Sequence, residues 1–256
     1  MSAERAGGGV VGPPAGVPSP DAPLPEGEAK VHAVQAMFDA IAPRYELVNR
    51  LMTLGLDQGW RRRAVGALAL PPGATVVDLA CGTGDLCRHL ERAGYVAIGV
   101  DLSVGMLGHA RTTTRLVQAD AARLPFPAVA ADGVVSGFAL RNFADLGAVF
   151  AELGRVVRPG GRVALLDVAV PDNRLLRAGH AVYFGHVAPR IGGLLSDPDA
   201  YRYLPRSVAY LPPPAEMLAR LRETGFGAVE RHLLSGGITQ LLTATRSATG
   251  PDGRAR

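Results

Sequence analysis

Between residues 74 and 170 the chain alternates short β-branched runs with helical segments, and that rhythm constrains the fold more than any other feature. TVVDLA (75–80), VAIGVDLS (96–103), RLVQAD (115–120), DGVVSGFAL (132–140) and RVALLDVAV (162–170) are apolar runs of strand length. GDLCRHLERAG (84–94), the stretch from Val104 to Arg111, and ADLGAVFAELGRVV (144–157) carry helical spacing between them. Gly94 stops the first of these, and Arg158-Pro159-Gly160-Gly161 closes the last. Strands that alternate with helices pair in parallel and carry the helices on both faces, so the sequence predicts an α/β fold with a mostly parallel sheet. After a helix from Pro214 to Thr224, stopped by Gly225, AVERHLLS (228–235) and ITQLLTATR (238–246) flank Gly236-Gly237 and read as an antiparallel hairpin.

Helical segments precede this sheet. Val31, Val34, Met37, Phe38 and Ile41 recur at helical spacing, Pro43 interrupts, and Tyr45, Val48, Leu51, Met52 and Leu54 continue the apolar face to Gly55. Trp60 and Arg61, Arg62 and Arg63 then read as a solvated basic helix face. Residues 1–28, dense in Pro, Gly and Ala, read as a disordered tail, as do residues 247–256. One domain is expected over residues 29–246. Residues 171–213 break the alternation and carry Tyr183, Phe184, His186, Tyr201, Tyr203 and Tyr210 among prolines; a long insertion of this kind is usually functional, often a lid.

The glycine turn in VVDLACGTGDL (76–86) narrows the ligand. Open α/β sheets bind ligands beyond the carboxyl ends of their strands. Here Gly82-x-Gly84 turns the first strand into a helix, but the third position of a dinucleotide fingerprint falls on Cys87, which weakens a pyrophosphate reading. Asp78, at the strand end, would repel a phosphate and suits a cationic or amino-bearing ligand. S-adenosylmethionine (SAM) has both a sulfonium and an α-ammonium. Asp101 ends the second strand, where an acid takes ribose hydroxyls. Asp120, followed by the small Ala121, ends the third and suits an adenine amino group and ring face. Three acids at successive strand ends, in register with Gly82, Thr83 and Gly84, point to SAM.

Composition removes other classes. Lys and Arg total 27 against 23 Asp and Glu, a net charge of +4, but the basic residues are scattered and only 5% of residues are aromatic, so nucleic acid is not an expected partner. The positive balance suits transient contact with an anionic membrane surface. Cys81 and Cys87 fit neither a CxxC pair nor a zinc set and read as reduced cysteines, so no metal is expected. The chain offers neither an apolar run long enough to span a bilayer nor a signal-peptide h-region, and reads as cytosolic. A nicotinamide-linked oxidoreductase is disfavoured by Cys87 and by the absence of a Tyr-x-x-x-Lys pair.

The glycine turn and its acids resemble motif I and its followers in class I SAM-dependent methyltransferases. FDAIAPRYELVNRLMTLGLDQGWRRR (38–63), FALRNFAD (138–145), DPDAYRY (197–203) and LPRSVAYLP (204–212) further resemble the menaquinone/ubiquinone-biosynthesis C-methyltransferases, a likeness covering about residues 30 to 246. That resemblance implies a Rossmann-like, seven-stranded sheet with an N-terminal helical cap. It also implies SAM held by Thr83, Asp101 and the Asp120-Ala121 pair, and a prenylated quinol, demethylmenaquinol foremost, as acceptor. Gly137 stands where the family often has serine, with Ser136 one place earlier. It is counted with the cofactor residues, and the serine's hydroxyl contact is not carried over. Two stretches depart: Asp167-Val168-Ala169 where the family often reads E-F-S, and Gln240-Leu241-Leu242-Thr243-Ala244 where it often reads A-L-H-R-G. Another small aromatic or polyketide acceptor, or a catalytically silent SAM-binding partner, are the alternatives these departures keep open.

Methylating a quinol carbon needs its hydroxyl, of pKa about 10 when free, to give up a proton. Arg141 stays charged and is a poor base, but it suits stabilising a phenolate, with Asn142 orienting it. His186, Asp167, Tyr201, Tyr203 and a relayed water are the candidates to take the proton.

Overall fold

The structure, a computed structural model, describes residues 25–187, 190 and 206–248. One seven-stranded sheet runs in the order β3-β2-β1-β4-β5-β7-β6. Its strands are β1 (Thr75–Leu79), β2 (Val96–Asp101), β3 (Arg115–Gln118), β4 (Ala131–Gly137), β5 (Val157–Val168), β6 (Phe226–Leu234) and β7 (Thr239–Arg246). The first five pair in parallel, and β7 runs antiparallel between β5 and β6, so the predicted mostly parallel sheet and C-terminal hairpin are both present.

Strand periodicity explains the layers. Val77 and Leu79 of β1 point to one face, where they join a core with Phe150, Leu153, Met217 and Leu221. Those residues come from α6 (Leu146–Val156) and α8 (Pro214–Glu223). Val76 points to the other face and packs with Leu68, Leu86 and Leu90, from α3 (Leu56–Leu68) and α4 (Asp85–Arg92). A third cluster, built on Met37, Ile41, Val48 and Met106, joins α1 (Gly27–Ile41), α2 (Tyr45–Met52) and α5 (Val104–Gly108) into a cap over the ends of β1 and β2.

Several boundaries differ from the sequence reading for local reasons. The helix expected to reach Arg111 ends at Gly108, because the chain folds back and the Arg111 N–H donates to the Thr83 carbonyl at 3.0 Å. β4 stops at Gly137 because Phe138 turns into the left-handed region at φ 65°. β5 starts earlier than expected, with Val157 pairing to Ala131. At the N-terminus α1 begins at Gly27, and Tyr210 donates its hydroxyl to the Pro25 carbonyl, so residues 25–28 belong to the fold rather than to a tail. The remaining tail assignments, 1–24 and 249–256, lie outside the described residues, as do Tyr201 and Tyr203.

The insertion after β5 opens with α7 (Arg174–Val182), whose Asn173 cap accepts from the Leu175 and Leu176 amides. A π-helical turn, Tyr183–Val187, follows it. The Tyr183 hydroxyl donates to the Met52 carbonyl at 2.7 Å and ties this turn to the end of α2.

Candidate active site

β1 and β4 are neighbours from which the sheet extends in opposite directions, the crevice where such sheets bind ligands. A cavity of about 820 Å³, counting its open mouth, lies there at the carboxyl ends of β1, β2 and β4 and under α1. Two non-glycine residues on its wall, Ala80 (φ 56°) and Phe138 (φ 65°), hold left-handed backbone, a conformation that persists only where surrounding packing enforces it. The glycine turn that follows Ala80 is equally constrained. Gly84 sits at φ 84°, and a Cβ there would lie 2.8 Å from Thr112 Cγ2, which leaves no room for another residue.

Of the residues the sequence singled out for the cofactor, Gly82, Asp101, Asp120, Ala121 and Gly137 line this cavity. Asp101 accepts the Gly82 N–H at 2.7 Å and the Ser103 N–H at 2.9 Å, one on each carboxylate oxygen, so it also shapes the glycine turn. Burial raises its pKa, with those backbone bonds opposing. Asp120 accepts the Ala122 N–H at 2.9 Å and stands exposed at the cavity edge. A Cβ at Gly137 would lie 2.9 Å from Leu86 Cδ1, so a serine there would displace that core leucine; the hydroxyl of Ser136 donates instead to the Leu79 carbonyl at 2.7 Å.

Asp78, Thr83 and Gly84 are not on the cavity wall. Asp78 shares the Val76 face of β1, which α4 covers, and it is fully enclosed. Its Oδ2 accepts from the Cys87 thiol at 3.2 Å, its Oδ1 has no partner among the described residues, and burial pushes its pKa up to about 7. The carboxylate expected to face a ligand therefore lies beneath the glycine turn. Cys81 and Cys87 are both free and buried.

A second cavity, of about 2150 Å³ counting its open mouth, lies between α2, α3, the start of β7 and α7. Its wall is mostly apolar, and it meets the first cavity at Phe38, Tyr45 and Phe138. Arg141 lines it from the turn after β4, buried and held on three sides. Its Nη1 pairs with Asp167 and donates to the Phe138 carbonyl at 2.8 Å, while Nε donates to Ser207 Oγ at 3.1 Å. Nη2 has no partner among the described residues. Asp145 does not pair with Arg141; it caps α6 by accepting the Ala148 N–H. Asp167 is fully buried and also accepts the Arg141 and Val168 amides, so it serves to hold Arg141 and does not line the cavity. Asn142 lines the first cavity, and its buried Oδ1 has no partner among the described residues.

Other side chains depart from expectation. His186 is exposed and lines neither cavity, because the π-helical turn presents Gly185 inward and the next residue outward. His180, which the sequence did not mark, does line the second cavity, and burial lowers its pKa. Tyr45 was read only as part of an apolar helix face, yet its ring stands between the two cavities, and burial raises its pKa against the opposing pull of Arg61 and Arg141. Arg61 is buried rather than solvated: it lies against Asp57 at 3.5 Å and Asp85 at 3.9 Å and stacks 5.4 Å from the Phe138 ring centroid. Trp60 lines the second cavity and donates its indole N–H to Ser235 Oγ at 2.8 Å, while Arg62 and Arg63 are exposed. Among the described residues no group of three His, Cys, Asp or Glu side chains is placed to hold a metal, and no helix is long and apolar enough to cross a membrane.

Known proteins share this architecture. A solved methyltransferase from Haloferax volcanii, complexed with the Trm112 activator, superposes with TM-score 0.62 at 19% identity, covering 82% of this chain and 97% of that one. A possible histamine N-methyltransferase from Thermotoga maritima gives TM-score 0.58 at 19% identity, covering 84% and 100%. Sequence likeness is much closer elsewhere. The ubiquinone/menaquinone biosynthesis C-methyltransferase UbiE of Syntrophotalea carbinolica is 41% identical over 84% of this chain and 94% of its own length. A demethylmenaquinone methyltransferase of Deinococcus radiodurans is 44% identical over 84% and 93%. The model of the ubiE/COQ5 methyltransferase family matches residues 26–246, both cavities included, and the chain belongs to that family.

Proposed function

We propose that this protein transfers the methyl group of SAM to a ring carbon of a prenylated quinol, demethylmenaquinol first. The observation that carries the reading is the pair of joined cavities: one ringed by strand-end acids, the other large and apolar with a buried arginine in its wall. The names of the 41–44% identical relatives support the same acceptor.

The first cavity suits SAM. Each Asp101 oxygen keeps a second lone pair beyond the backbone N–H it accepts, enough for a vicinal diol. Asp120 and Ala121 offer an acceptor beside a small apolar wall for the adenine. Asn142 Oδ1 is a buried acceptor awaiting a donor. When bound, SAM supplies an electrophilic methyl on a sulfonium. The chain's own residues do the rest. Arg141, fixed by Asp167 and Ser207, offers Nη2 to the acceptor oxygen and stabilises it as the proton leaves. His180, neutral because burial lowers its pKa, lies in the same cavity and takes that proton in place of His186; once the methyl has moved from sulfur to the ring carbon, that carbon gives up its own hydrogen as a proton and the oxygen is reprotonated, so one proton leaves overall. Tyr45 and Phe138 close the passage between the cavities and exclude water from it.

A different phenolic ring is the second reading, favoured because Val168 and Thr239, within or beside the two stretches that depart from the family pattern, line the acceptor-side cavity. The test is isotope-labelled SAM with demethylmenaquinol and a panel of simple phenols. Label in menaquinol, lost in Arg141→Ala while SAM still binds, is the expected result. Label only in another phenol establishes the second reading. SAM binding with no transfer to any acceptor leaves a silent binding protein.

A further inference from the structure

The mouth of the acceptor-side cavity is rimmed by side chains that water should not see. Leu54 and Leu175 are 80% and 82% exposed, and Leu56, Val170 and Leu176 beside them are about half exposed, yet all five line the cavity. Folded monomers rarely leave so many large apolar groups together unless something covers them. None of the nine residues of α7 is buried. Helical spacing sorts them into stripes. Leu176, His180 and the following Tyr183 face the cavity. Ala178 and Val182 face out, the latter 60% exposed, and Leu175 stands at the rim between the two stripes. The exposed Arg174 flanks them, whereas Arg177 lines the cavity and donates to the Pro171 and Asp172 carbonyls at 2.9 and 3.0 Å; α7 contains no acid. Across the mouth, Leu54 is held out on a left-handed turn (φ 52°) closed by the Gly55 N–H on the Arg50 carbonyl at 2.9 Å. Leu47 and Leu51 extend the apolar surface along α2, beside the exposed Arg50; the helix's one acid, Glu46, is engaged by Arg88 at 3.0 Å.

We propose that this lip docks on an anionic lipid bilayer. Leu54, Leu175 and Val182 enter the headgroup layer, the exposed Arg50 and Arg174 meet the lipid phosphates, and the cavity opens directly onto the acyl phase. Charge favours a bilayer as occupant: the apolar side chains are bordered by arginines, in a chain of net charge +4. Geometry favours it as well, because a second copy of the chain seated on the same lip would seal the opening that these side chains rim. The proposal rests on the prenylated-quinol reading for what passes through that opening, but the contact itself does not depend on it.

Flotation of the full chain with quinone-free vesicles tests it. Vesicles of three parts phosphatidylcholine to one part phosphatidylglycerol should carry the protein at least tenfold better than pure phosphatidylcholine. Leu175→Gln/Val182→Gln should lower binding on the order of tenfold, and Arg174→Gln, outside the cavity wall, about fivefold. Because these side chains are exposed, thermal midpoints should stay close to wild type, and Leu54→Gln gives an independent variant should α7 be perturbed. Absence of vesicle binding by the wild-type chain overturns the proposal. So does binding that ignores the leucine substitutions, or a wild-type dimer that the same substitutions convert to monomer without any vesicle binding. Quinol methylation in detergent with no vesicle binding removes the docking and leaves the function; vesicle binding with no quinol methylation does the reverse.

Discussion

Asp78 carries a titration that can be measured directly. Its carboxyl sits near 7 in the folded chain against 3.8 when free, because burial penalises the charge. The folded state thus favours the protonated acid: the stability tied to this group is fully present below about pH 4 and is lost as pH rises through 7. Asp78→Asn removes that loss. Its unfolding free energy should exceed wild type at pH 8 by about 4 kcal/mol at most, with the gap closing toward pH 4, as read by denaturant titration at both values. His180 has the opposite lesson for catalysis. Burial lowers its pKa from 6.5, so the rate should climb with pH along a limb below 6.5 and level off above it. His180→Gln should flatten that limb and lower kcat by about 10²-fold or more, with SAM affinity unchanged by calorimetry. Only part of this was legible in the residues. Spacing put Asp101 and Asp120 at strand ends, and those ends do meet in one crevice. Asp78 shares their pattern but faces the side that α4 covers, and which side a helix covers is a tertiary fact. Tyr45 and His180 carried no local mark, because their chemistry arises only where separate elements converge.

At the scale of elements, the strands were readable because buried parallel strands are near-continuous apolar runs, and β1, β2 and β4 fall within a few residues of those runs. α3 was misread on its charged face. Three consecutive arginines signal solvent, yet helical rotation carries Arg61 inward to Asp57 and Asp85 while its two neighbours stay out. The insertion was recognisable as a break in rhythm but not as a wall. α7 and the π-helical turn reach the cap through the Tyr183–Met52 hydrogen bond. Tyr183→Phe removes that tie, worth about 1 kcal/mol, and should raise KM for the acceptor several-fold with little change in the dissociation constant for SAM. Steady-state kinetics with each substrate varied in turn would read the split. An equal effect on both substrates would mean that α7 supports the whole fold rather than one cavity.

Across the whole molecule, the two cavities are separate chambers joined at Phe38, Tyr45 and Phe138. Donor and acceptor can therefore be held together, and initial-rate plots should intersect rather than run parallel, with S-adenosylhomocysteine competing against SAM but not against the acceptor. Parallel plots would require the methyl group to rest on the protein, for which the junction offers no nucleophile beyond the Tyr45 phenol. The chambers also differ in origin. The donor side is built mainly from the ends of β1, β2 and β4, whereas the acceptor side is built mainly from chain before β1 and after β5. A chimera that keeps residues 75–168 and exchanges the flanking stretches for those of another family member would then inherit the other enzyme's taste in rings while retaining its own grip on the methyl source, which makes this scaffold a natural chassis for retargeted alkylation.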